Sequence, residues 1–242
     1  MPTPYDLRIE RDCRFCTVRA ERPFCNMSDE AVAVLETITF TAAYPKGSIL
    51  FAEGELPRGV FIICNGRVKL TTTSSDGRTL ILRVAEAGEV LGVSSTVANR
   101  RYEVSAETLT ACQINSVRQD DFLHFMETHV EVSMHSAQSL ADAYQATQRD
   151  VRTLGLSTTV AERLAHLLLH WADEGEIVGD EIKIEVPLTH EEIAELIGTT
   201  RETVTRTLTD LRKKDLLLVQ GTTFTVRNRK GLERVVECGK IE

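Results

Sequence analysis

Two groups of residues in this chain have types and spacings that could do chemistry. The first is a set of thiols. Cys13, Cys16 and Cys25 fall in the pattern Cys-x2-Cys-x8-Cys, and Cys64, Cys112 and Cys238 follow singly. Thiolates ligate zinc and iron–sulfur clusters, and they are the nucleophiles of redox sensing. The second group lies in Leu188 to Leu211, LTHEEIAELIGTTRETVTRTLTDL. Thr189 to Glu192 reads as a capping box, in which a hydroxyl takes the N3 amide and a glutamate reaches back. Ile193, Leu196 and Ile197 then make an apolar helical stripe, and Gly198 ends it.

A second box, Thr199 to Glu202, is expected to open the next helix, with Val204, Leu208 and Leu211 on its buried face. Thr199, Thr200, Arg201, Glu202, Thr205 and Arg206 are left at its start and off that face. A helix-turn-helix needs this arrangement, because base edges in the major groove are read from the N-terminal part of the second helix. Arginine donates two parallel hydrogen bonds to guanine, and glutamate accepts from the cytosine amino group. Glu202 and Arg206 are one turn apart and can face the same groove edge. Glu202 also reads as the partner of Thr199 in the box, and Arg201 and Thr205 also read as plain solvated helix residues.

The elements around these groups follow from periodicity. Residues 1 to 27 form a cysteine-bearing arm. Ser28 caps a short helix carrying Val32, Leu35 and Ile38. From Thr39 to Val117 short runs of Val, Ile, Leu, Thr and Phe alternate with turn residues, which predicts a β-roll or barrel. Asn65-Gly66 and Asp76-Gly77 are two-residue hairpin signals. Asp120 to about Leu156 reads as one long helix. Met134, Ala137, Ala141, Tyr144 and Val151 recur along it at coiled-coil intervals, with Gln148 interrupting. The other reading of that stripe is a helix packed on its own domain. A further helix starts near the Thr159 to Glu162 box, Ile182 to Val186 is a strand, and Leu216 to Val219 with Thr223 to Val226 is a hairpin around Gln220-Gly221-Thr222. The resulting domains are 1–27, a 28–119 β-roll, a 120–156 dimerisation helix and a 157–242 winged helix-turn-helix.

Composition narrows the partners. The 242 residues carry a formal net charge of −8, which argues against indiscriminate coating of nucleic acid. From Arg201 to Arg234, nine Lys/Arg face four Asp/Glu, so one region is basic and fits a site-selective binder of double-stranded DNA. No apolar run approaches membrane-spanning length, and the start MPTPYDLRIERD has no secretory pattern. A cytoplasmic address and no structural disulfides are expected. An enzyme is not expected: no G-x-S-x-G, P-loop, H-E-x-x-H or paired-carboxylate arrangement appears. His166 and His170 at i, i+4 read as packing residues.

β-roll, long helix and winged helix-turn-helix, in that order, resemble the CRP/FNR superfamily of bacterial transcription regulators. The motifs that carry the likeness are KGSILFAEGE (Lys46 to Glu55), IICNGRVKL (Ile62 to Leu70), GEVLG (Gly88 to Gly92) and RETVTR (Arg201 to Arg206). The resemblance implies an α+β chain with a cyclic-nucleotide-binding-like β-roll. It also implies a homodimer along the long helix, a near-palindromic DNA site and a contact with RNA polymerase. The R-E-x-x-x-R and E-x-x-[ST]-R patterns of two subtypes overlap here, and both share a TGA core, so a TGA…TCA palindrome is expected.

The resemblance offers three kinds of signal. In cAMP-binding members a Gly-Glu pair holds the ribose and an Arg-Ser pair the cyclic phosphate. Here Val93 follows Gly92, and Tyr102-Glu103 stand near the Arg-Ser position, with Arg100 and Arg101 close by. The arm Cys13-x2-Cys16-x8-Cys25 resembles that of FNR-like oxygen regulators, which hold a [4Fe–4S] cluster with a fourth cysteine from the β-roll. Its second spacing is longer than in the best-known members. Cys112, in the strand Thr-Ala-Cys-Gln-Ile, matches the fourth position, so the metal set implied is Cys13, Cys16, Cys25 and Cys112. A similar strand in the cAMP-receptor type carries a cysteine that is merely small and apolar. Zinc on the same thiolates, or a signal read by metal-free cysteines, are the alternatives. Cys64 reads as core and Cys238 as incidental.

Overall fold

The computed structural model describes residues 5, 7, 9, 12–22, 24–157, 159–173 and 175–241, without the side chains of 149, 150, 152–154 and 156. Much of the polar start MPTPYDLRIERD therefore lies outside the described residues. The chain forms two compact units, Met1–Thr147 and Gln148–Glu242.

In the first unit, helix α1 (Asp29–Ile38) begins where the Ser28 hydroxyl accepts from the Ala31 N–H, and its face of Ala31, Val32 and Leu35 is buried. Eight strands follow: β1 (Thr39–Tyr44), β2 (Ile49–Phe51), β3 (Gly59–Asn65), β4 (Val68–Thr73), β5 (Thr79–Ala85), β6 (Val90–Leu91), β7 (Ser105–Thr108) and β8 (Cys112–Arg118). Helix α2 (Val93–Ala98) interrupts them between β6 and β7. They make two four-stranded sheets, ordered β1-β8-β3-β6 and β2-β7-β4-β5.

Strand side chains alternate between faces, and that alternation builds two cores. Phe61 and Ile63 of β3 pack with Phe51, Val68, Ala106 and Ile114. Val60 and Ile62, one residue out of phase, pack instead with Phe24, α1 and Phe122. Each such side chain contributes roughly 1.5–3 kcal/mol through burial, so both faces of this sheet are strongly specified.

Two local expectations are corrected. Asn65-Gly66 is not a two-residue hairpin, because β3 and β4 lie in different sheets and the turn is a corner between them. Gly66 has φ +92°, and a Cβ there would sit 2.5 Å from both the Ala111 carbonyl oxygen and Cys112 Sγ. A glycine chosen for close approach looks, in sequence, the same as one chosen for a hairpin. Asp76-Gly77 does lie in a β4–β5 hairpin, with a longer loop of 74–78. The helix expected from Asp120 is also two helices, α3 (Gln119–Thr128) and α4 (Val130–Leu156). His129 between them is extended, with φ −129° and ψ 100°. At the break the Ser133 hydroxyl donates to the Met126 carbonyl, whose partner four residues on lies beyond α3.

The second unit holds α5 (Val160–Asp173), β9 (Glu176–Val178), β10 (Glu181–Glu185), α6 (His190–Ile197), α7 (Arg201–Lys213), β11 (Leu217–Gln220), β12 (Thr223–Val226) and α8 (Arg229–Cys238). Its sheet runs β11-β12-β10-β9. Leu164, Leu168, Ile193, Val204, Leu211 and Phe224 anchor its core. The β11–β12 hairpin turns at Gly221, whose φ of +62° suits glycine.

Candidate thiol site and nucleic-acid interface

Consecutive tight turns draw the arm cysteines together. Asp12 caps a single 3-10 turn, Cys13–Phe15, by accepting from the Arg14 N–H. The Cys16 N–H then donates to the Cys13 carbonyl, the Arg19 N–H to the Cys16 carbonyl, and the Cys25 N–H to the Arg22 carbonyl. The arm is pinned on both sides. Arg14 pairs with Glu36 of α1 at 2.9 Å, and Phe24 is buried with its ring 6.3 Å from that of Phe122. The Phe24 N–H also donates to the carbonyl of Gly88, which has φ +99°. A Cβ on Gly88 would lie 3.0 Å from the Arg22 side chain, so glycine is needed there for both backbone and approach.

Between the arm and the sheet is a small cavity with an open mouth. Cys13, Cys16, Cys25 and Cys64 all line it, with Arg19 and Arg22. Asn115 on β8 donates from Nδ2 to Cys13 Sγ at 3.6 Å and accepts from the Thr41 hydroxyl. Cys64 reaches the cavity because it shares the strand face of Ile62, which also lines it. The β3–β8 register slips between Ile63 and Asn65, so Cys64 sits within a β-bulge.

Cys112 is not in this group, contrary to the set Cys13, Cys16, Cys25 and Cys112. It is fully buried on the opposite face of β8, with Ile114 and Ile63, and its Sγ hydrogen-bonds the Arg67 and Thr110 carbonyls. Strand parity is the cause: Cys112 and Ile114 point between the sheets, while Asn115 and Val117 point toward the arm. Cys64, read as core from its apolar strand, lines the cavity that Cys112 does not reach. Cys238 is exposed near the end of α8.

Burial is the main influence on these thiols. It pushes Cys25 up to about 11 and Cys64 to about 12, and it raises Cys13 and Cys112. Neighbouring cysteines raise Cys25 and Cys64 further, whereas Arg22 opposes the shift. Free Cys25 and Cys64 are therefore protonated at neutral pH and poor nucleophiles. Among the described residues no three His, Cys, Asp or Glu side chains converge on a position for one metal ion. Tetrahedral zinc, with Zn–S near 2.3 Å, would need its four sulfurs about 3.8 Å apart. A cubane cluster takes one thiolate at each iron and spreads them wider.

In the second unit the capping box of α6 forms as expected, with Thr189 and Glu192 reciprocally bonded and Gly198 left-handed at φ 63°. The cap of α7 is shifted by one residue. Thr200, not Thr199, is the N-cap, and its hydroxyl accepts from the Thr203 N–H, so the Thr199 to Glu202 box does not form. The Thr199 N–H is occupied instead, donating to the Ala194 carbonyl. Glu202 is held below the usual carboxylate range by its own backbone N–H and then by the Thr200 hydroxyl. Arg201, Glu202, Thr205 and Arg206 are all exposed, opposite the buried Val204, Leu208 and Leu211. Thr205 is partly engaged: its hydroxyl donates to the Arg201 carbonyl at 3.0 Å and lies 2.9 Å from His190 Nδ1. His190 was missed from sequence, since only the packing of α6 on α7 reveals it.

Residues 162–235 match the model of the Crp-like helix-turn-helix domain, and 41–129 match the cyclic nucleotide-binding domain. A CRP-like cAMP-activated global transcriptional regulator of Mycobacterium tuberculosis is 28% identical over 212 residues, covering 87% of this chain and 94% of that one. A probable transcriptional regulator, flp, of Lacticaseibacillus casei is 27% identical, covering 87% and 93%. The structure of FixK2 from Bradyrhizobium japonicum superposes with a TM-score of 0.72 at 24% identity, covering 81% and 96%. That of a CooA mutant from Carboxydothermus hydrogenoformans gives 0.72 at 25%, covering 84% and 90%. With both domain models matched in order and the fold shared with these regulators, the chain belongs to the CRP/FNR family of DNA-binding transcription regulators.

Proposed function

We propose that this regulator works as a homodimer that reads a TGA…TCA palindrome under the control of a [4Fe–4S] cluster held by Cys13, Cys16, Cys25 and Cys64. The observation that carries the sensory half is that those four thiols line one cavity. Two further features fit an anionic, thiolate-bound group there: Arg19 and Arg22 line the same cavity, and one Arg19 nitrogen is buried without an acceptor. A bound cluster keeps its ligating thiols deprotonated and supplies an oxygen-labile centre. The chain's own residues do the rest: the arm and Cys64 hold the group, and the apolar wall of Val32, Leu35 and Ile62 limits water.

For DNA, Arg206 and Glu202 are the base readers, with Arg201, Thr199 and Thr200 near the phosphates and Thr205 held in place by His190. Pairing runs along α4, whose Val130, Met134, Leu140, Tyr144 and Val151 side chains are exposed. A contact with RNA polymerase is part of this proposal, on the strength of the resemblance alone.

A cyclic nucleotide is the second reading, since relatives are described as cAMP-activated. The β-roll disfavours it. Val93 is buried and apolar, and Tyr102 is buried and stacked on Phe51 at 4.1 Å with its hydroxyl donating to the Gly59 carbonyl. Arg100 and Arg101 are exposed, and Arg101 is spent on the Gly54 carbonyl.

Anaerobic purification with iron and sulfide analysis, followed by fluorescence anisotropy on a TGA…TCA duplex, tests the proposal. Brown protein whose DNA affinity changes on air exposure supports it. A colourless anaerobic preparation, or affinity indifferent to air, contradicts it.

A further inference from the structure

Arg19 stands apart from the other cations of the arm. Its Nη2 donates to Asp29 Oδ1 at 2.8 Å in the first turn of α1, whereas Nη1 is buried with no hydrogen-bond partner. Burying a charged donor without an acceptor is costly, so an anionic group within reach of Nη1 would be stabilised there. The wall on which Arg19 lies carries a second cation, Arg22, and one acid, Asp12. Asp12 is already used as the cap of the Cys13 turn. The cavity lining thus sets two guanidinium groups against one carboxylate. With the four thiolates bound to a dicationic four-iron core, the occupant is doubly negative, and the imbalance is answered.

We propose that Arg19 is a positioning residue for the occupant of the thiol cavity: its Nη1–H donates to that anionic group while Nη2 stays on Asp29. The inference rests on the cluster reading above. One guanidinium would then touch the sensory group and the start of α1 together, and its fixed fork suits two partners at once. Its positive charge also opposes loss of an electron from an anionic cluster, so Arg19 should set how readily the cluster is oxidised.

The test uses the full chain, purified anaerobically as wild type, Arg19→Gln and Arg19→Lys. Iron and sulfide per chain are measured, followed by the rate at which visible absorbance decays in air-saturated buffer. Arg19→Gln should bleach about ten-fold faster than wild type or more, the scale of one charge-assisted hydrogen bond. Arg19→Lys, which keeps the charge, should return the rate to within about two-fold of wild type. A Gln variant that bleaches at the wild-type rate overturns the role of Arg19 while leaving the cluster reading intact. So does a Lys variant as fast as Gln, since that marks a merely structural part. Wild-type protein free of iron overturns the cluster reading, and this inference with it. If circular dichroism shows the Gln variant unfolded, Arg19→Met supplies the same comparison.

Discussion

The carboxylate of Glu131, in the first turn of α4, accepts two hydrogen bonds from Ser28, one from its backbone N–H at 2.9 Å and one from its hydroxyl. Ser28 is also the N-cap of α1 and lies three residues after Cys25. The Glu131 carboxylate therefore ties the segment carrying the thiols to the start of the long helix. Glu131→Gln should leave iron content unchanged but reduce the difference in DNA affinity between anaerobic and air-exposed protein several-fold. An undiminished difference would show that the signal leaves the arm by another route.

The same pair sets a pH dependence. The Ser28 hydrogen bonds, with His135 and His129 nearby, hold Glu131 below its ordinary value of 4.5. A depressed carboxylate contributes stability that is fully present above the unfolded value and lost as pH falls through the folded one. Denaturation midpoints between pH 6 and about pH 3 should therefore fall less steeply in Glu131→Gln than in wild type. Parallel profiles would mean that the bonds to Ser28 do not distinguish the two charge states.

Gly88 should tolerate no side chain. Its φ of +99° and the 3.0 Å approach of Arg22 give Gly88→Ala a strain of about 1–3 kcal/mol at the point where the arm is fastened. Amide hydrogen exchange over residues 12–27 should rise, and retained iron should drop. Unchanged exchange in the arm would contradict its attachment at Gly88.

The shifted cap of α7 separates two adjacent threonines. Thr200→Ala should cost about 1 kcal/mol of stability by urea denaturation, the usual loss for a capping hydroxyl, and Thr199→Ala much less. The reverse order would restore the Thr199 to Glu202 box.

Base reading is tested at Arg206. Arg206→Ala should lose about 1–3 kcal/mol of discrimination at the guanine of TGA, measured by competition between operator variants. Uniform weakening across unrelated duplexes would instead make it a phosphate contact.

Most elements of this fold are legible from periodicity, because helix stripes such as Ile193, Leu196 and Ile197 and the alternating β runs each serve one core. What is not legible depends on partners distant in sequence. Whether Cys64 or Cys112 faces the arm turns on strand parity and on a bulge at β3, and neither leaves a mark in residue type. The break at His129 has no Pro or Gly to announce it, only the Ser133 hydroxyl bonded across it. Thr199 and Thr200 offer the same cap chemistry, and the backbone path out of Gly198 chooses between them. Arg19 and Arg22 look like ordinary arm charges until the cavity they line is known.

Whether four thiols on one side of a sheet form a single site is read most directly from iron content in a set of cysteine variants purified under strict anaerobiosis. Serine at position 13, 16, 25 or 64 should each abolish bound iron and colour, while Cys112→Ala and Cys238→Ser keep both. Full iron in Cys64→Ser together with its loss in Cys112→Ala would place the fourth ligand at Cys112 and contradict a site built on Cys64.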